Sequence, residues 1–344
     1  MITTLLAQGS GMPVDENLAH FSDLAFRSAF ALYVIALVAS LAYYAGFRVA
    51  RTTRREERVA VGAGVGAGSG PDTVLTDGHS LTDTGDEYSA SATGERWARF
   101  TLLFTGLGLA VHVVSLVLRG LATDRVPWGN MYEYASLTCA IGIAAALATL
   151  RRPAFRAAWP FVLVPVLLLM FLGATKLYAQ AAPVVPALRS YWLPIHVSVI
   201  SLGCGVLFVS GIASVMYLLR VWQPKGAEQG AFAGLTRPLP AADTLDRLAY
   251  RMAIVGFPIF GVGILLGAVW AESAWGRFWG WDPKETTSFV AWVLYAGYLH
   301  ARATTGWGAR KAAWINIAGF SMLVFNLFFI NMVVSGLHSY AGLN

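Results

Sequence analysis

Long apolar segments constrain this chain more than any other feature. A helix needs about 20 apolar residues to cross the hydrocarbon of a bilayer, and such stretches recur along the 344 residues. Hydrophobic residues make up 56% of the chain and charged residues only 13%, which excludes an ordinary soluble domain. We predict an all-α polytopic membrane protein of about eight transmembrane helices. The predicted spans are 28–49, 97–118, 132–150, 157–177, 192–219, 252–270, 286–303 and 312–334.

Basic residues are distributed unevenly among the connecting segments. If the N-terminus is outside, more than two thirds of the 25 lysines and arginines fall in inner segments. The positive-inside rule then predicts that both termini lie outside, in a multi-pass protein of the plasma membrane. The net charge of +6 indicates anchoring at the inner leaflet and gives no reason to expect a nucleic acid partner.

The sequence divides into three parts. Residues 1–50 hold an outer segment and the first span, residues 51–96 form a flexible cytoplasmic linker, and residues 97–344 form the transmembrane core. The linker is rich in small and polar residues, which bury too little apolar surface to order a segment. A second inner segment, DTLDRLAYR, predicts a short amphipathic helix along the membrane, with Asp243 as its N-cap.

The two cysteines exclude some chemistry. Cys139 and Cys204 lie in separate predicted spans and form neither a CxxC pair nor a metal-ligand spacing. Buried thiols of this kind act as small apolar residues. The chain is therefore not a thiol-disulfide enzyme and, without CxxCH, not itself a c-type cytochrome.

One segment between the sixth and seventh spans holds four of the twelve tryptophans within seventeen residues. We call WAESAWGRFWGWDPKET, Trp270 to Thr286, the tryptophan segment. One interpretation is an interfacial belt, since indole rings collect at membrane surfaces. A belt does not need the glycines, basic residues and carboxylates that stand among these rings, which favour a platform for a large planar ligand. The residues predicted to form this platform are Trp270, Trp275, Gly276, Trp279, Trp281 and Asp282.

The end of the tryptophan segment predicts a helix start. Asp282, Pro283 and Glu285 stand at the N-cap, N1 and N3 positions of the seventh span. An acidic N-cap with a glutamate three residues later forms a capping box, and proline is favoured at N1.

Histidines are the candidate metal ligands. The topology brings His196 and His338 to the outer face that carries the tryptophan segment, and neutral imidazoles on opposite sides of a haem supply axial ligands. Each alone also fits a solvated helix end. His300 lies 17 residues after Pro283, about 25 Å towards the inner side. His112 lies within the second span, where it is either a ligand or hydrogen-bonded to a neighbouring helix.

Two further groups of residues belong to the same outer face. A haem carries propionates, and a carboxylate near an apolar site needs a basic partner; the candidates are Arg189, Arg277 and Lys284. A second polar and aromatic cluster consists of Pro127, Trp128, Gly129, Asn130 and Glu133.

These segments resemble a known family. WGRFWGWDPKET, Trp275 to Thr286, resembles the WWD signature of haem-handling membrane proteins. PALRSYWLPIHV and GLHSYAG resemble the histidine segments of its CcsA/ResC branch, labelled CcsB in some bacteria. The resemblance covers about residues 97–344 and implies the channel and synthase subunit of System II cytochrome c biogenesis.

The resemblance also implies roles for individual residues. Haem b crosses the membrane, is held outside by His196 and His338, and becomes attached through its vinyl groups to the CxxCH thiols of an apocytochrome c. His300 matches the intramembrane histidine, whose second ligand comes from a ResB/Ccs1-type membrane subunit. The activity implied is that of a holocytochrome c synthase acting with this subunit, and a thioredoxin-like protein keeps the thiols reduced.

Two alternatives stay open. A haem exporter or carrier would use the same site but hand the haem to a separate ligase. A small-solute transporter would use the tryptophan segment as a gate, although the spans contain little paired charge and no evident half-to-half repeat.

Overall fold

The computed structural model describes residues 14–64, 92–183, 188–334 and 336–338, with the backbone alone over 47–64. Helices dominate this part of the chain, and it contains no strand, which confirms the all-α prediction. In chain order the elements are α1 (Glu16–Gly64), α2 (Ala92–Thr123), α3 (Met131–Leu150), a 3-10 helix (Pro153–Ala158), α4 (Trp159–Thr175), α5 (Trp192–Trp222), α6 (Ala233–Thr236), α7 (Ala242–Trp275), α8 (Pro283–Ala303), α9 (Ala309–Phe325) and a π-helical turn (Asn326–Ile330).

Seven helical segments within the described residues are long and apolar enough to cross a membrane. They match seven of the eight predicted spans. The remaining predicted span, 286–303, is helical as α8, but hydroxyl, histidine and arginine side chains dilute its apolar residues. The seven segments are Glu16–Gly46, Ala92–Thr123, Met131–Leu150, Pro153–Thr175, Trp192–Trp222, Ala242–Trp275 and Ala309–Ile330.

Two boundaries differ from the predicted ones. α7 begins at Ala242 and continues unbroken to Trp275. The prediction of a separate amphipathic helix capped by Asp243 is therefore wrong. Local periodicity indicated that residues 243–251 have a polar face, but it did not indicate that they continue the helix of the sixth predicted span.

Both ends of the predicted linker are helical, since α1 runs to Gly64 and α2 starts at Ala92. Arginine and glutamate, which occur at these ends, are good helix formers. Residues 65–91 lie outside the described range.

Glycines bring α5 and α7 into close contact. A Cβ on Gly203 would lie 2.7 Å from the Phe260 Cα, and one on Gly263 would lie 2.8 Å from the Ile200 Cα. Small residues allow this approach between helices in membranes, where packing replaces the hydrophobic effect between helices as the driving force. The α5–α7 pair therefore forms a closely packed unit, which carries His196, Trp270 and Trp275.

Buried charges fasten α2 to α3. The Arg119 side chain donates to Glu133 Oε1 at 3.1 Å, and Arg125 donates to Glu133 Oε2 at 2.8 Å. Glu133 also accepts the Gly129 N–H at 2.8 Å, and Asn130 caps α3 by accepting the Glu133 N–H. Full pairing of this kind is what allows a carboxylate to be buried. The network fixes the segment before α3 next to the tryptophan segment.

Candidate functional site

The tryptophan segment begins where α7 ends. Gly276 has φ +71° and forms the C-cap, donating its N–H to Glu272 O at 2.8 Å. Glycine adopts this left-handed conformation without steric cost, which is why it commonly ends helices. Trp270 and Trp275 thus lie on the last turns of α7, whereas Trp279 and Trp281 lie in the connection that follows.

The start of α8 has the predicted capping box. Asp282 accepts the Lys284 N–H at 3.4 Å, and the Glu285 side chain accepts the Asp282 N–H at 3.1 Å. Glu285 also accepts the Gly280 N–H at 2.9 Å. The box therefore fixes the path of the chain from Gly280 into α8.

His196 is held by the α5–α7 unit. Its Nδ1 lies 2.9 Å from the carbonyl oxygen of Gly263, and since a carbonyl only accepts, Nδ1 carries the proton and Nε2 carries the lone pair. Gly267 leaves room for the ring, because a Cβ there would lie 2.7 Å from His196 Cε1. A ring held through one nitrogen with the other unprotonated is typical of a metal ligand.

His338 is held in the same way by a carboxylate. Its Nδ1 lies 2.8 Å from Asp282 Oδ2, while Asp282 Oδ1 accepts the Leu337 N–H at 2.8 Å. Gly336 makes room for this carboxylate, since a Cβ there would lie 2.8 Å from Asp282 Oδ1. Asp282 thus caps α8 and orients His338, although the two residues are 56 positions apart.

Electrostatics favour the ligand form of His338. Burial lowers the pKa of His338 below its ordinary value, while the hydrogen bond to Asp282 acts in the opposite direction. Burial raises the pKa of Asp282, but the hydrogen bonds from His338 and Leu337 outweigh it, so this pKa lies below its ordinary value. Near neutral pH the pair is a neutral imidazole beside an ionised carboxylate.

Trp270 contacts both histidines. Its indole stacks on the His196 ring, with centroids 5.9 Å apart and planes 10° from parallel. It meets the His338 ring edge-on at 5.7 Å, and Trp275 meets the same ring at 5.1 Å. Trp270 is 2% exposed. The structure therefore brings both histidines to one buried indole.

A cavity of about 340 Å³ opens beside these rings. We call it the histidine cavity, because His196 and His338 both line it. Most of its wall is apolar, and the exposed lining residues Phe278, Leu168 and Val324 show that it reaches the surface at the tryptophan segment and on the flank between α4 and α9. Ligand sites are commonly apolar cavities of about 300–1,000 Å³ with a few placed polar groups.

Several predicted site residues line this cavity and others do not. Trp270, Trp275 and Trp279 line it with the two histidines. Trp281 lies outside it and is 66% exposed. Its backbone has a φ of +57°, and its ring lies edge-on to Trp279 and Phe289. Gly276 and Asp282 do not line the cavity. Gly276 is the C-cap of α7, and Asp282 is the hydrogen-bond partner of His338.

His300 lies apart from the cavity. It stands in the last turn of α8 and is exposed. Its predicted role, with a second ligand from a partner subunit, stays a prediction.

His112 lies in a hydrogen-bonded position away from the histidine cavity. It is fully buried, with Nε2 2.8 Å from Ser136 Oγ and Nδ1 3.4 Å from the Tyr33 hydroxyl. Both ring nitrogens thus have hydroxyl partners, and the residue does not line the histidine cavity. Of the two interpretations of this residue, the hydrogen-bonded one agrees with the structure.

The second outer cluster divides between two roles. Trp128, Gly129 and Asn130 line the cavity, whereas Glu133 belongs to the buried charge network. Among the three basic candidates only Lys284 lines the cavity.

Sequence reasoning missed the residues that support the ligands. Gly263 and Gly267 are four positions apart in an apolar span, a pattern that signals close helix contact but not which side chain the space admits. Asn331 lines the cavity and lies within a predicted span, where a polar residue is a functional candidate.

Comparison with known proteins places this fold and site in a class of membrane proteins. Residues 128–338, well over half of the chain, match the family described as Cytochrome C assembly protein. The chain belongs to this family. The matched region contains every residue that we find around the histidine cavity.

The relatives of this chain show to which branch of the family it belongs. The cytochrome c biogenesis protein CcsA of Gloeobacter violaceus is 35% identical over 279 residues, covering 67% of this chain and 82% of that protein. CcsA of Prochlorococcus marinus is 34% identical, covering 72% and 85%. CcsA of Guillardia theta is 40% identical over a shorter region, 48% of this chain and 59% of that protein. The chain thus falls with the CcsA proteins of System II and acts in cytochrome c maturation.

One solved structure shares the fold. The chain superposes on "Cytochrome c Heme Lyase CcmF" with a TM-score of 0.59 at 15% identity. The match covers 93% of this chain and 47% of that protein, so this chain spans about half of its length.

Proposed function

We propose that this protein holds haem b in the histidine cavity, with His196 and His338 as axial ligands, and presents it for attachment to an apocytochrome c. The observation that carries the proposal is that both imidazoles are held through Nδ1 by an acceptor, beside the same indole and the same apolar cavity. This arrangement supports two Nε2 ligands for one metal. Indole faces supply the apolar contact that a porphyrin needs.

The protein works on the haem by positioning it. Thioether formation adds a CxxCH thiol across a haem vinyl group, so holding the two reactants together supplies most of the acceleration. No side chain of this protein needs to act as acid or base for that role. The opening at Phe278 supports access for a peptide at the tryptophan segment, which the basic-residue distribution assigns to the outer side of the plasma membrane, as it does both termini.

Attachment requires ligand exchange, because two histidines saturate the iron. We assign the exchange to His338. It lies in a non-helical segment after α9 and is held through side-chain contacts, whereas His196 lies within α5 and bonds to the backbone of α7. The histidine of the incoming CxxCH then displaces the more movable ligand.

The proposal includes partners. A ResB/Ccs1-type membrane subunit completes the synthase, and His300 on the exposed face of α8 is suited to receive haem together with a ligand from that subunit. A thioredoxin-like protein supplies an apocytochrome with reduced thiols.

Coexpression tests the proposal. The full chain, its partner subunit and an apocytochrome c are produced in a host that lacks other cytochrome c assembly systems, and covalent haem is measured by haem staining of denatured protein. We expect covalent haem with the wild type and none with His196→Ala. Bound haem without covalent product would indicate a carrier that serves a separate ligase, and no haem in either form would support the small-solute transporter.

A further inference from the structure

The histidine cavity contains a single lysine or arginine among the described residues that line it, Lys284. It occupies the second position of α8, and its ammonium group donates to Asn331 Oδ1 at 2.6 Å. The same ammonium lies 5.5 Å from the centre of the Tyr134 ring, a distance at which a cation is attracted to a ring face. The side chain is therefore held in place between α3, α8 and the chain after the π-helical turn.

The π-helical turn builds this position. Asn331 donates its side-chain NH₂ group to the carbonyls of Asn326 at 3.0 Å and Leu327 at 2.8 Å. These two bonds direct the Asn331 oxygen towards Lys284. Single π-helical turns within helices are often found at functional sites, and here the turn supplies the acceptor that holds a cation beside the cavity.

The nearby carboxylates are engaged elsewhere. Among the described residues no carboxylate forms an ion pair with Lys284 within 4.0 Å. Asp282 is used by His338 and two backbone N–H groups. Glu285 also lines the cavity, but it accepts the Gly280 and Asp282 N–H groups and lies 3.6 Å from Arg277. An ammonium has three donors, so Lys284 has capacity for an anionic acceptor.

The other two basic candidates are placed differently. Arg277 does not line the cavity, and it lies against Glu285 and over Gly280. Arg189 is exposed and does not line the cavity either. The sequence alone could not rank the three basic candidates. Their positions distinguish them, because Lys284 lines the cavity and the two arginines do not.

We propose that Lys284, held by Asn331, binds a carboxylate of the planar ligand and so sets both its chemical class and its orientation. This inference rests on the proposed function, under which the carboxylate is a haem propionate. The site then prefers a porphyrin with free carboxylates to its neutral ester. The propionate edge of the haem then lies against α8. The vinyl groups lie towards other parts of the cavity, where a thiol of the apocytochrome approaches them.

Two ligands and four proteins test the proposal. Haem and haem dimethyl ester are each titrated into the detergent-solubilised full chain, and binding is followed by the bis-histidine absorption spectrum. The proteins are the wild type, Lys284→Met, Lys284→Arg and the matched control Arg277→Met. A charge-assisted hydrogen bond corresponds to roughly tenfold or more in affinity.

We expect the wild type, Lys284→Arg and Arg277→Met to bind haem about tenfold more tightly than the ester. Lys284→Met should lose this preference by binding haem more weakly while its affinity for the ester stays unchanged. A wild type that binds both ligands equally would overturn the role of Lys284 and leave the haem site standing, as would an undiminished preference in Lys284→Met. A wild type that binds neither ligand through histidines would overturn the proposed function itself.

Discussion

His112 lies in the contact between α1, α2 and α3, whereas His196 and His338 lie beside a cavity at the end of α7. All three are surrounded by aromatic rings. The partners differ: His112 has a hydroxyl at each nitrogen, while the other two are held at Nδ1 by acceptors that fix Nε2 as the basic nitrogen. We call these the closed and the open histidine regions.

Two features separate the hydrogen-bonded His112 from the two candidate ligands in this protein. Burial and aromatic neighbours occur in both regions and do not distinguish them. The distinguishing features are an acceptor at one nitrogen and open space beside the ring, and both depend on residues far away in sequence.

The largest effect is expected from removing a ring. His196→Ala and His338→Ala should each abolish the bis-histidine haem spectrum of the purified protein, because each removes a ligand. His112→Ala should keep that spectrum, because its ring bonds only to hydroxyls of the closed region. Spectra normalised to protein concentration measure the effect, and haem loss in His112→Ala at unchanged folding would contradict the division into two regions.

The next effect comes from removing a partner of the ring. Asp282→Asn should weaken haem binding by roughly 10–100-fold, the usual cost of losing the group that orients a ligating histidine. Ser136→Ala in the closed region should leave affinity unchanged and cost about 1–3 kcal/mol of stability, because it leaves a His112 nitrogen unpaired. Haem titration and thermal unfolding separate the two outcomes. Equal effects of both variants on affinity would argue against a special role for Asp282.

A matched pair of glycines gives a smaller effect. A Cβ would lie 2.7 Å from His196 Cε1 at Gly267 and 2.7 Å from Tyr33 Cε1 at Gly108. Gly267→Ala should shift the His196 ring and weaken haem binding by about tenfold, whereas Gly108→Ala should cost about 1–3 kcal/mol of stability through overpacking. The same titrations and melting curves apply. Unchanged haem binding in Gly267→Ala would show that the His196 ring tolerates displacement.

The smallest effect is a shift in pH dependence. The neutral ring of His338 is the ligand form, and its pKa lies below the ordinary value of about 6.5. Haem affinity should therefore hold as pH falls through about 6.5 and decline only at lower pH. A plot of log affinity against pH tests this direction, and a decline that begins above pH 6.5 would contradict the environment described for His338.

Much of the fold follows from local sequence signals. Apolar length locates the helices, and the Asp282-Pro283-x-Glu285 pattern predicts the start of α8 with its capping box, which the structure confirms. Topology alone also predicts that His196 and His338 lie near the tryptophan segment, because His196 lies in the first turns of α5 and His338 follows α9 at the same end of the bundle.

Tertiary contacts account for what sequence reasoning did not reach. The position of Trp281 outside the cavity depends on the path of the chain between α7 and α8, and the choice of Lys284 over Arg277 depends on which side chain faces the cavity. The hydrogen bond between Asp282 and His338 connects the start of α8 to the segment after α9. None of these follows from spacing along the chain, since each is decided by how helices pack.

The double use of Asp282 has a consequence for the order of synthesis. The chain leaves the ribosome from its N-terminus, so α8 and its cap exist before His338 has been made. A partly synthesised protein already contains the indoles and the first ligand, yet it lacks the second. The helix α9 must be in place before the Asp282 carboxylate, which caps α8, finds its second partner, so the site cannot form before α9 and His338 have been synthesised.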